Sequence, residues 1–425
     1  MQPPLKILCV EPYTFSPGHP RWFATELCEG LGRRGHEVTL VTFGNVLEEG
    51  VEGSRPFSVI DVAKENTLTR FLGWGSPVRG NLRSAAGFRR LYWDLRTFPP
   101  AFRMATQQAY DIVHCLDWHP VTLWWSARLF SGWRCGGRTA MAGTLHHLGR
   151  LARGKDSFLG MSIRYYRRAL ASLVQEYMQA VFVLDETLRA ELIERLRLPR
   201  QHHGKIVLVP HGMDTGEPPY GRSEARRRLG IDGDERILLL AGVLRRDKGI
   251  DVAIRAMEEA GSCRLYIVGA PFDCDVEELR ALIRARNCES SVILDPRYLA
   301  EDEMQDYILV CDALLLPYRK TFRGQSGVVA HASRYARCVI ASDVGAVGNI
   351  IRQFGFGFTV EPESPEKLRD AIRKFLDLTA RERLEMESKA KLAAQSYSWD
   401  EMCRRIEEVY YRCTGARGCV KGLQG

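Results

Sequence analysis

The sequence predicts two α/β domains, each a doubly wound parallel sheet with helices on both faces. Short apolar strands alternate with helical stretches through nearly the whole chain, and such strands belong in a parallel sheet that is covered on both sides. The alternation restarts after 210–219, where Pro and Gly cluster. The length of 425 residues corresponds to two or three domains at about 150 residues each.

The first half opens with a strand, a helix and a second strand. Lys6–Val10 is a short apolar strand, Trp22–Arg34 is helical, and Glu37–Thr42 is the next strand. Gly35 ends the helix because glycine tolerates the positive φ of a C-cap. Further strands are predicted over Ile112–Cys115, Thr139–Thr144, Ala180–Leu184 and Ile206–Pro210, with a helix over Glu186–Leu196.

The second half repeats the pattern. Strands are predicted over Arg236–Gly242, Arg264–Gly269, Val292–Leu294, Ala313–Pro317 and Val339–Ser342. Helices are predicted over Ser223–Leu229, Asp251–Ala260, Val276–Asn287, Asp302–Val310, Val328–Arg337 and Pro365–Leu376. The tail from Arg381 to Arg412 has few helix breakers and is predicted to be helical.

Composition excludes several classes of protein. With 45% apolar and 26% charged residues, the chain is not intrinsically disordered. The longest apolar run, Ile237–Leu244, is far below the roughly 18 residues that span a bilayer. No secretory signal is visible, and none of the twelve cysteines forms a Cys-x-x-Cys pair. We therefore expect a cytoplasmic protein with reduced cysteines and no zinc site.

The positive charge is confined to the first half. Residues 1–210 contain 27 Lys+Arg against 18 Asp+Glu, whereas residues 211–425 contain 33 against 34. Basic and aromatic residues mix in Leu68–Trp93 and in Arg164–Arg168. Such mixtures suit an anionic membrane surface or a lipid-diphosphate acceptor, although a solvated helix face with core aromatics has the same composition. No nucleic-acid-binding motif is present, so nucleic acid is not an expected partner.

The first chemical constellation follows the strand Arg236–Gly242. Arg245, Arg246 and Lys248 lie in a short loop before the next helix. Two or three cations at a strand end suit a diphosphate, because they can neutralise the charge that grows on a leaving phosphate. The alternative is a solvated basic turn.

The second constellation is Pro317-Tyr318, followed by a Gly-rich turn that opens the helix Val328–Arg337. Gly324-Gln325 precede Ser326, Gly327 and Val328. Backbone N–H groups at the positive end of a helix dipole form an anion site, and a Ser hydroxyl adds a donor. An ordinary N-capped helix is the alternative.

The order of these motifs resembles the retaining GT-B glycosyltransferases of the family 4 type (glycosyl transferases group 1). The second half is similar to the family's nucleotide-sugar-binding domain through Val209–Asp214, Gly242–Gly249, Leu265–Gly269, Cys311–Tyr318, Ser326–Val328 and Ile340–Gly345. The first half is similar to its acceptor-binding domain through Gly18–His19, Arg34–Val38, Asp111–His114 and Thr144–His146. Ser398-Trp399, before a closing helix, resembles the family's tail.

The resemblance implies domains at 1–209 and 210–396, facing each other across a cleft, and a tail at 397–425 that crosses back to the first domain and then frays. It implies a glycosyltransferase of class EC 2.4 that acts with retention. No metal ion is expected, because cationic side chains and helix N–H groups can take its role, and no other cofactor is expected. The expected partners are a nucleotide-sugar donor and a glycan or lipid-linked acceptor, at the inner face of the membrane if the basic half docks there.

The resemblance also assigns site residues. Arg245, Lys248 and His146 are the expected catalytic residues. Gly18, Ser326, Gly327 and Val328 are expected at the donor diphosphate, and Tyr298 and His331 at its ribose or base. His147 competes with His146 for the place beside the transferred sugar, and His114, His119 and Asp117 rank second.

One departure from the family concerns two glutamates that usually stand eight positions apart around the Ser-Gly turn. Arg323 and His331 occupy those positions. A histidine can bond to a ribose hydroxyl, but less firmly than a carboxylate. This departure keeps a non-catalytic nucleotide-sugar-binding protein open as a rival function. A nucleotide-sugar epimerase on the same fold is a second rival, which would need acid/base carboxylates in the cleft.

Overall fold

The computed structural model describes residues 2–14, 19–44, 55–63, 86–129, 138–148, 163–233, 235–322 and 326–415. The chain divides into two compact units. The N-terminal unit comprises Met1–Pro210 together with Trp399–Gly425, and the C-terminal unit comprises His211–Ser398. Each unit contains one parallel sheet with helices, so the predicted fold class is confirmed.

The N-terminal sheet has seven parallel strands in the order β3-β2-β1-β4-β5-β6-β7. The strands are β1 Lys6–Glu11, β2 Glu37–Thr42, β3 Ser58–Asp61, β4 Ile112–Cys115, β5 Ala140–Leu145, β6 Ala180–Val183 and β7 Ile206–Leu208. The helices described around it are α1 His19–Arg33, α2 Ala86–Gln107, α3 Pro120–Leu129, α4 Ile163–Ser172, α5 Glu186–Leu196 and α14 Trp399–Gly415. A π-helical turn, Leu173–Tyr177, follows α4.

The central strand β1 shows why an unbroken apolar run makes a strand here. Ile7 and Cys9 pack into the core on one face of the sheet, and Leu8 and Val10 pack into the core on the other. All four are fully buried. Side chains alternate between the faces, so a strand covered on both sides needs apolar residues at every position.

The C-terminal sheet has six parallel strands in the order β10-β9-β8-β11-β12-β13. The strands are β8 Arg236–Ala241, β9 Cys263–Val268, β10 Val292–Asp295, β11 Ala313–Leu316, β12 Cys338–Ser342 and β13 Gly357–Val360. The helices are α6 Arg222–Leu229, α7 Ile250–Met257, α8 Val276–Ala285, α9 Glu301–Val310, α10 Gly327–Arg334, α11 Gly345–Phe354, α12 Pro365–Leu376 and α13 Ala380–Ser396. The central strands β8 and β11 end side by side, which places their following loops together.

The region 381–412, predicted to be helical, consists of two helices, α13 and α14, which belong to different units. The break falls at Tyr397 and Ser398, where the Tyr397 carbonyl accepts a hydrogen bond from the Met213 N–H at 2.7 Å. Helix α14 packs Cys403 and Tyr410 into the core of the N-terminal unit. The second helix begins at Trp399, in the Ser398-Trp399 pair that the sequence places before a closing helix.

The sequence does not predict four of the described helices and two of the described strands. They are α2, α3, α4, α11, β3 and β13. Helix α2 contains Pro99 and Pro100, which read as breakers in the sequence. No helix among the described residues is both long enough and apolar enough to cross a bilayer.

Candidate functional site

Lys248 is buried at the end of strand β8. Its ammonium donates a hydrogen bond to the Ala241 carbonyl at 3.0 Å, and only 8% of the residue is exposed. Burial, with a smaller contribution from neighbouring Arg245, lowers the pKa of Lys248 to about 8. The side chain therefore still carries its positive charge at neutral pH, in a poorly solvated position where charge acts strongly.

Two glycines allow the backbone to turn around this ammonium. Gly242 has a φ of +87°, and a methyl group added there would lie 3.1 Å from Lys248 Nζ. Gly249 has a φ of +66°, and a methyl group there would lie 2.0 Å from the Pro317 carbonyl oxygen. The loop after β8 thus needs glycine at both ends, for backbone conformation and for close approach.

Arg245 is half-buried and held by Asp247. Its Nε donates to Asp247 Oδ1 at 2.9 Å and its Nη2 to Oδ2 at 2.6 Å. The guanidinium also lies 5.8 Å from the centre of the Phe322 ring. The Arg245 side chain is therefore fixed before any ligand arrives, with Nη1 outside the bonds to Asp247.

Arg246 has a different environment, as the sequence could not reveal. Its backbone N–H donates to Asp273 Oδ1 at 2.7 Å, and its guanidinium Nη2 lies 3.5 Å from Glu278 Oε2. Its side chain is 66% exposed. Of the three cations in this loop, Arg246 is the most exposed.

The N-terminus of helix α10 lies beside this loop. A methyl group at Gly242 would be 3.9 Å from Val328 Cγ2. The Tyr318 and Ser326 hydroxyls are hydrogen-bonded at 2.8 Å, and Ser326 makes no side-chain cap to its own helix. The structure therefore brings together the two constellations that the sequence singles out, a buried cation and a helix N-terminus.

The predicted ribose or base contacts lie in two other places. His331 is on α10, one turn beyond Gly327, and burial lowers its pKa while nearby Asp214 opposes that shift. Tyr298 follows β10 and is 75% exposed. Arg323, like the Gly324-Gln325 turn, lies outside the described residues.

The candidate histidines of the N-terminal unit differ in burial and in hydrogen-bond partners. His146 follows β5, and its Nε2–H donates to the Leu116 carbonyl at 3.1 Å. Its ring stands edge-on to Phe23, with the ring centres 4.8 Å apart. Neighbouring His147 is exposed.

His114 is a structural histidine. It is fully buried, with Nδ1 2.7 Å from the Tyr410 hydroxyl and Nε2 2.8 Å from Thr144 Oγ1. Burial lowers its pKa to about 3, so the ring stays neutral. The ring of His119 packs edge-on against Tyr166. Gly18 lies outside the described residues.

Sequence reasoning included Tyr318 in the second constellation but missed Phe322, the aromatic residue that connects it to Arg245. The Tyr318 and Phe322 rings are 4.2 Å apart, so they link Ser326 on one side to Arg245 on the other. Burial raises the pKa of Tyr318 to about 12, which keeps its hydroxyl protonated. The Pro-Tyr pair after β11 is visible in the sequence, but the sequence does not show which residues the tyrosine contacts.

Two family models match the chain in tandem. Residues 22–217 match Glycosyltransferase Family 4, and residues 221–394 match Glycosyl transferases group 1. The protein therefore belongs to the glycosyltransferases that these two models together describe, and it is a transferase enzyme of class EC 2.4.

Individual relatives agree with this assignment. The chain is 25% identical to the D-inositol 3-phosphate glycosyltransferase of Kineococcus radiotolerans over 97% of this chain and 94% of that protein. Sucrose-phosphate synthase from Thermosynechococcus elongatus superposes with a TM-score of 0.70 at 18% identity, covering 96% of this chain and 99% of the other. Anabaena HepE, solved in complex with UDP, has a TM-score of 0.69 at 15% identity, covering 96% and 100%. The two structural likenesses establish the GT-B fold.

Proposed function

We propose that the protein transfers a sugar from a nucleoside-diphosphate sugar, and that Lys248, Arg245 and the first N–H groups of α10 stabilise the departing diphosphate. The observation that carries this proposal is the buried, protonated ammonium of Lys248 beside a helix N-terminus. The complex of Anabaena HepE with UDP supports a donor of this type.

The chemistry follows from where charge develops. As the bond between the sugar and the diphosphate breaks, negative charge grows on the leaving phosphate oxygen. A cation that has already lost most of its hydration needs little reorganisation to stabilise that charge. Arg245, prepositioned by Asp247, would offer its remaining Nη1–H groups to the same anion.

Retention of configuration and independence from metal ions are parts of the proposal. Retention is supported by the family resemblance. Metal independence is supported by the cationic and N–H donors themselves, which supply the neutralisation that a divalent ion would otherwise provide. His146, by the same resemblance, is proposed to contact the transferred sugar.

The proposed acceptor is a glycan or a lipid-linked glycan, reached at an anionic membrane surface. Helices α3 and α4 contain four arginines and no Asp or Glu. Exposed Trp125 and Leu129 lie on α3 with Arg128. Apolar side chains among cations suit the interface of a membrane that contains anionic lipids.

A donor screen tests the proposed function. UDP-, GDP- and ADP-sugars are incubated with the protein, with and without acceptors that include D-inositol 3-phosphate and lipid-linked glycans. Release of nucleoside diphosphate with sugar transfer supports the proposal. An epimerised donor, or donor binding without any change, would instead support one of the two rival functions.

A further inference from the structure

Two loops of the C-terminal unit meet at Arg319. One is the β8–α7 loop, residues 242–249, which contains Arg245 and Lys248. The other follows β11 and begins with Pro317, Tyr318 and Arg319. The two strands are neighbours in the sheet, but neighbouring strands alone do not fix the conformation of the loops that follow them.

Arg319 bonds to the backbone of the β8–α7 loop at two successive carbonyls. Its backbone N–H donates to the Asp247 carbonyl at 2.9 Å. Its Nε donates to the Arg246 carbonyl at 3.0 Å. These two carbonyls immediately precede Lys248, so Arg319 bonds to the chain directly before the lysine, once through its backbone N–H and once through its side chain.

The end of the Arg319 guanidinium is held from a third direction. Nη2 lies 2.7 and 2.8 Å from the two carboxylate oxygens of Asp251, in the first turn of α7. The side chain is 32% exposed. One residue therefore ties the loop after β11 to both the loop and the helix that follow β8.

The proposed diphosphate donors all lie within one or two contacts of this residue. Asp247, whose carbonyl accepts from Arg319, holds Arg245 through its carboxylate. Phe322, which lies under Arg245, donates its own N–H to the Arg319 carbonyl at 2.9 Å. Tyr318, the preceding residue, bonds to Ser326 at the start of α10.

We infer that Arg319 is a positioning residue, which holds Lys248 and Arg245 in register with the N-terminus of α10 so that all of them reach one diphosphate. The inference rests on the proposed function, because it names what keeps that site assembled. We assign Arg319 no contact with the substrate, because its Nε and Nη2 bond to Arg246 and Asp251 and its Nη1 lies 3.8 Å from Glu363 Oε1.

Arg319→Ala and Arg319→Lys test the inference against a matched control. Arg222 makes a bidentate pair with Asp312 at 3.0 and 2.9 Å, is 35% exposed, and ties α6 to the opposite, amino ends of β8 and β11. Arg222→Ala therefore removes a similar ion pair from the same sheet without touching the diphosphate site. Donor kcat and KM and the thermal midpoint are measured for all three variants and the wild type.

We expect Arg319→Ala to lower kcat by about 10- to 100-fold, because small misplacements of groups that stabilise the transition state have effects of this size. Donor KM should change by less than about threefold. Arg319→Lys can pair with Asp251 but cannot also reach the Arg246 carbonyl, so it should recover thermal stability and not kcat. Arg222→Ala should lower the thermal midpoint and leave kcat within about threefold.

The inference is overturned if Arg319→Lys keeps wild-type kcat, or if Arg222→Ala lowers kcat as much as Arg319→Ala does. Either result, with an active wild type, leaves the proposed function standing. A wild-type protein that releases no nucleoside diphosphate from any donor would overturn the proposed function, and with it the role of Arg319.

Discussion

At the scale of single residues, the protein places a charge where water is scarce. Lys248 is the only one of the loop's three cations that is buried, and its desolvation lowers its pKa. The sequence predicts Arg245 and Lys248, and not Arg246, as catalytic residues. It does not show what separates Arg246 from Lys248, because the contacts of Arg246 are with Asp273 and Glu278, more than 25 residues away. Burial, not sequence position, distinguishes the two.

The lowered pKa of Lys248 predicts how activity depends on pH. Since only the protonated ammonium stabilises a leaving diphosphate, donor kcat/KM should fall as pH rises through about 8. The corresponding fall in kcat should occur at higher pH, because a bound diphosphate favours the charged form of the lysine. Initial rates between pH 6 and 10 measure both limbs.

Lys248→Ala is the control for that profile. Its residual activity should show no fall near pH 8, because the titrating group is gone. A limb that persists in the variant would assign the titration to another group and contradict the role of the ammonium.

His331 supports a second residue-scale prediction. If its imidazole bonds to one ribose hydroxyl of the donor, His331→Ala should raise donor KM about fivefold with little change in kcat, which corresponds to about 1 kcal/mol for one hydrogen bond. His331→Glu should keep or lower KM. If both substitutions shift only the thermal midpoint, the ribose assignment is wrong and the side chain merely packs on α10.

His114 shows the limit of residue-level prediction from sequence. A histidine at a strand end is a reasonable site candidate, but its partner Tyr410 is 296 residues away. No local pattern indicates that contact, and the structure makes His114 a buried, neutral part of the core.

At the scale of secondary-structure elements, the junction of β8, its loop and α10 determines the site. Strands such as β8 and helices such as α5 were predictable, because apolar runs and amphipathic periods depend on local sequence. Helix α2, with two internal prolines, was not, because long-range packing overrides local signals there. The conformation of the β8–α7 loop depends on Arg319 in the same way.

Gly242→Ala tests this junction. Gly242 combines a positive φ with an ammonium 3.1 Å from the position of an added methyl group, so the substitution should both destabilise the fold and displace Lys248. Thermal unfolding should show a loss of roughly 1–2 kcal/mol from the backbone alone. Donor turnover should fall at least tenfold, by misplacement of the cation.

Gly230→Ala is the matched control. Gly230 has a φ of +63°, and a methyl group there would meet no atom within 4 Å. It should lose similar stability while keeping wild-type turnover. Equal loss of turnover in both variants would show that general destabilisation, and not the position of Lys248, explains the Gly242 result.

At the scale of the whole molecule, charge is distributed unequally between the two halves of the sequence. The excess of positive charge falls in residues 1–210. Arg128, Arg164, Arg167 and Arg168 belong to α3 and α4. The sequence also predicts membrane contact by four arginines of the segment Leu68–Trp93, whose side chains lie outside the described residues: Arg79, Arg83, Arg89 and Arg90.

Liposome association tests the membrane proposal. Binding to vesicles that contain anionic lipid should fall steeply between low and high salt, because salt screens surface charge. Replacing Arg128, Arg164, Arg167 and Arg168 by Gln should have the same effect. The same replacement of Arg226 and Arg227, on α6, is the control and should leave binding unchanged. Equal binding to neutral and anionic vesicles would argue against docking on anionic lipid.

The central claim is that two cations after β8 stabilise the leaving diphosphate, and turnover of the cation variants tests it most directly. With the best donor from the screen, release of nucleoside diphosphate is measured for wild type, Lys248→Ala, Arg245→Ala and Arg246→Ala. Lys248→Ala and Arg245→Ala should each lose about two to three orders of magnitude in kcat, the usual effect of removing one main electrostatic stabiliser. Arg246→Ala should stay within about threefold of wild type. Near-normal rates in both the Lys248 and the Arg245 variants would contradict the account.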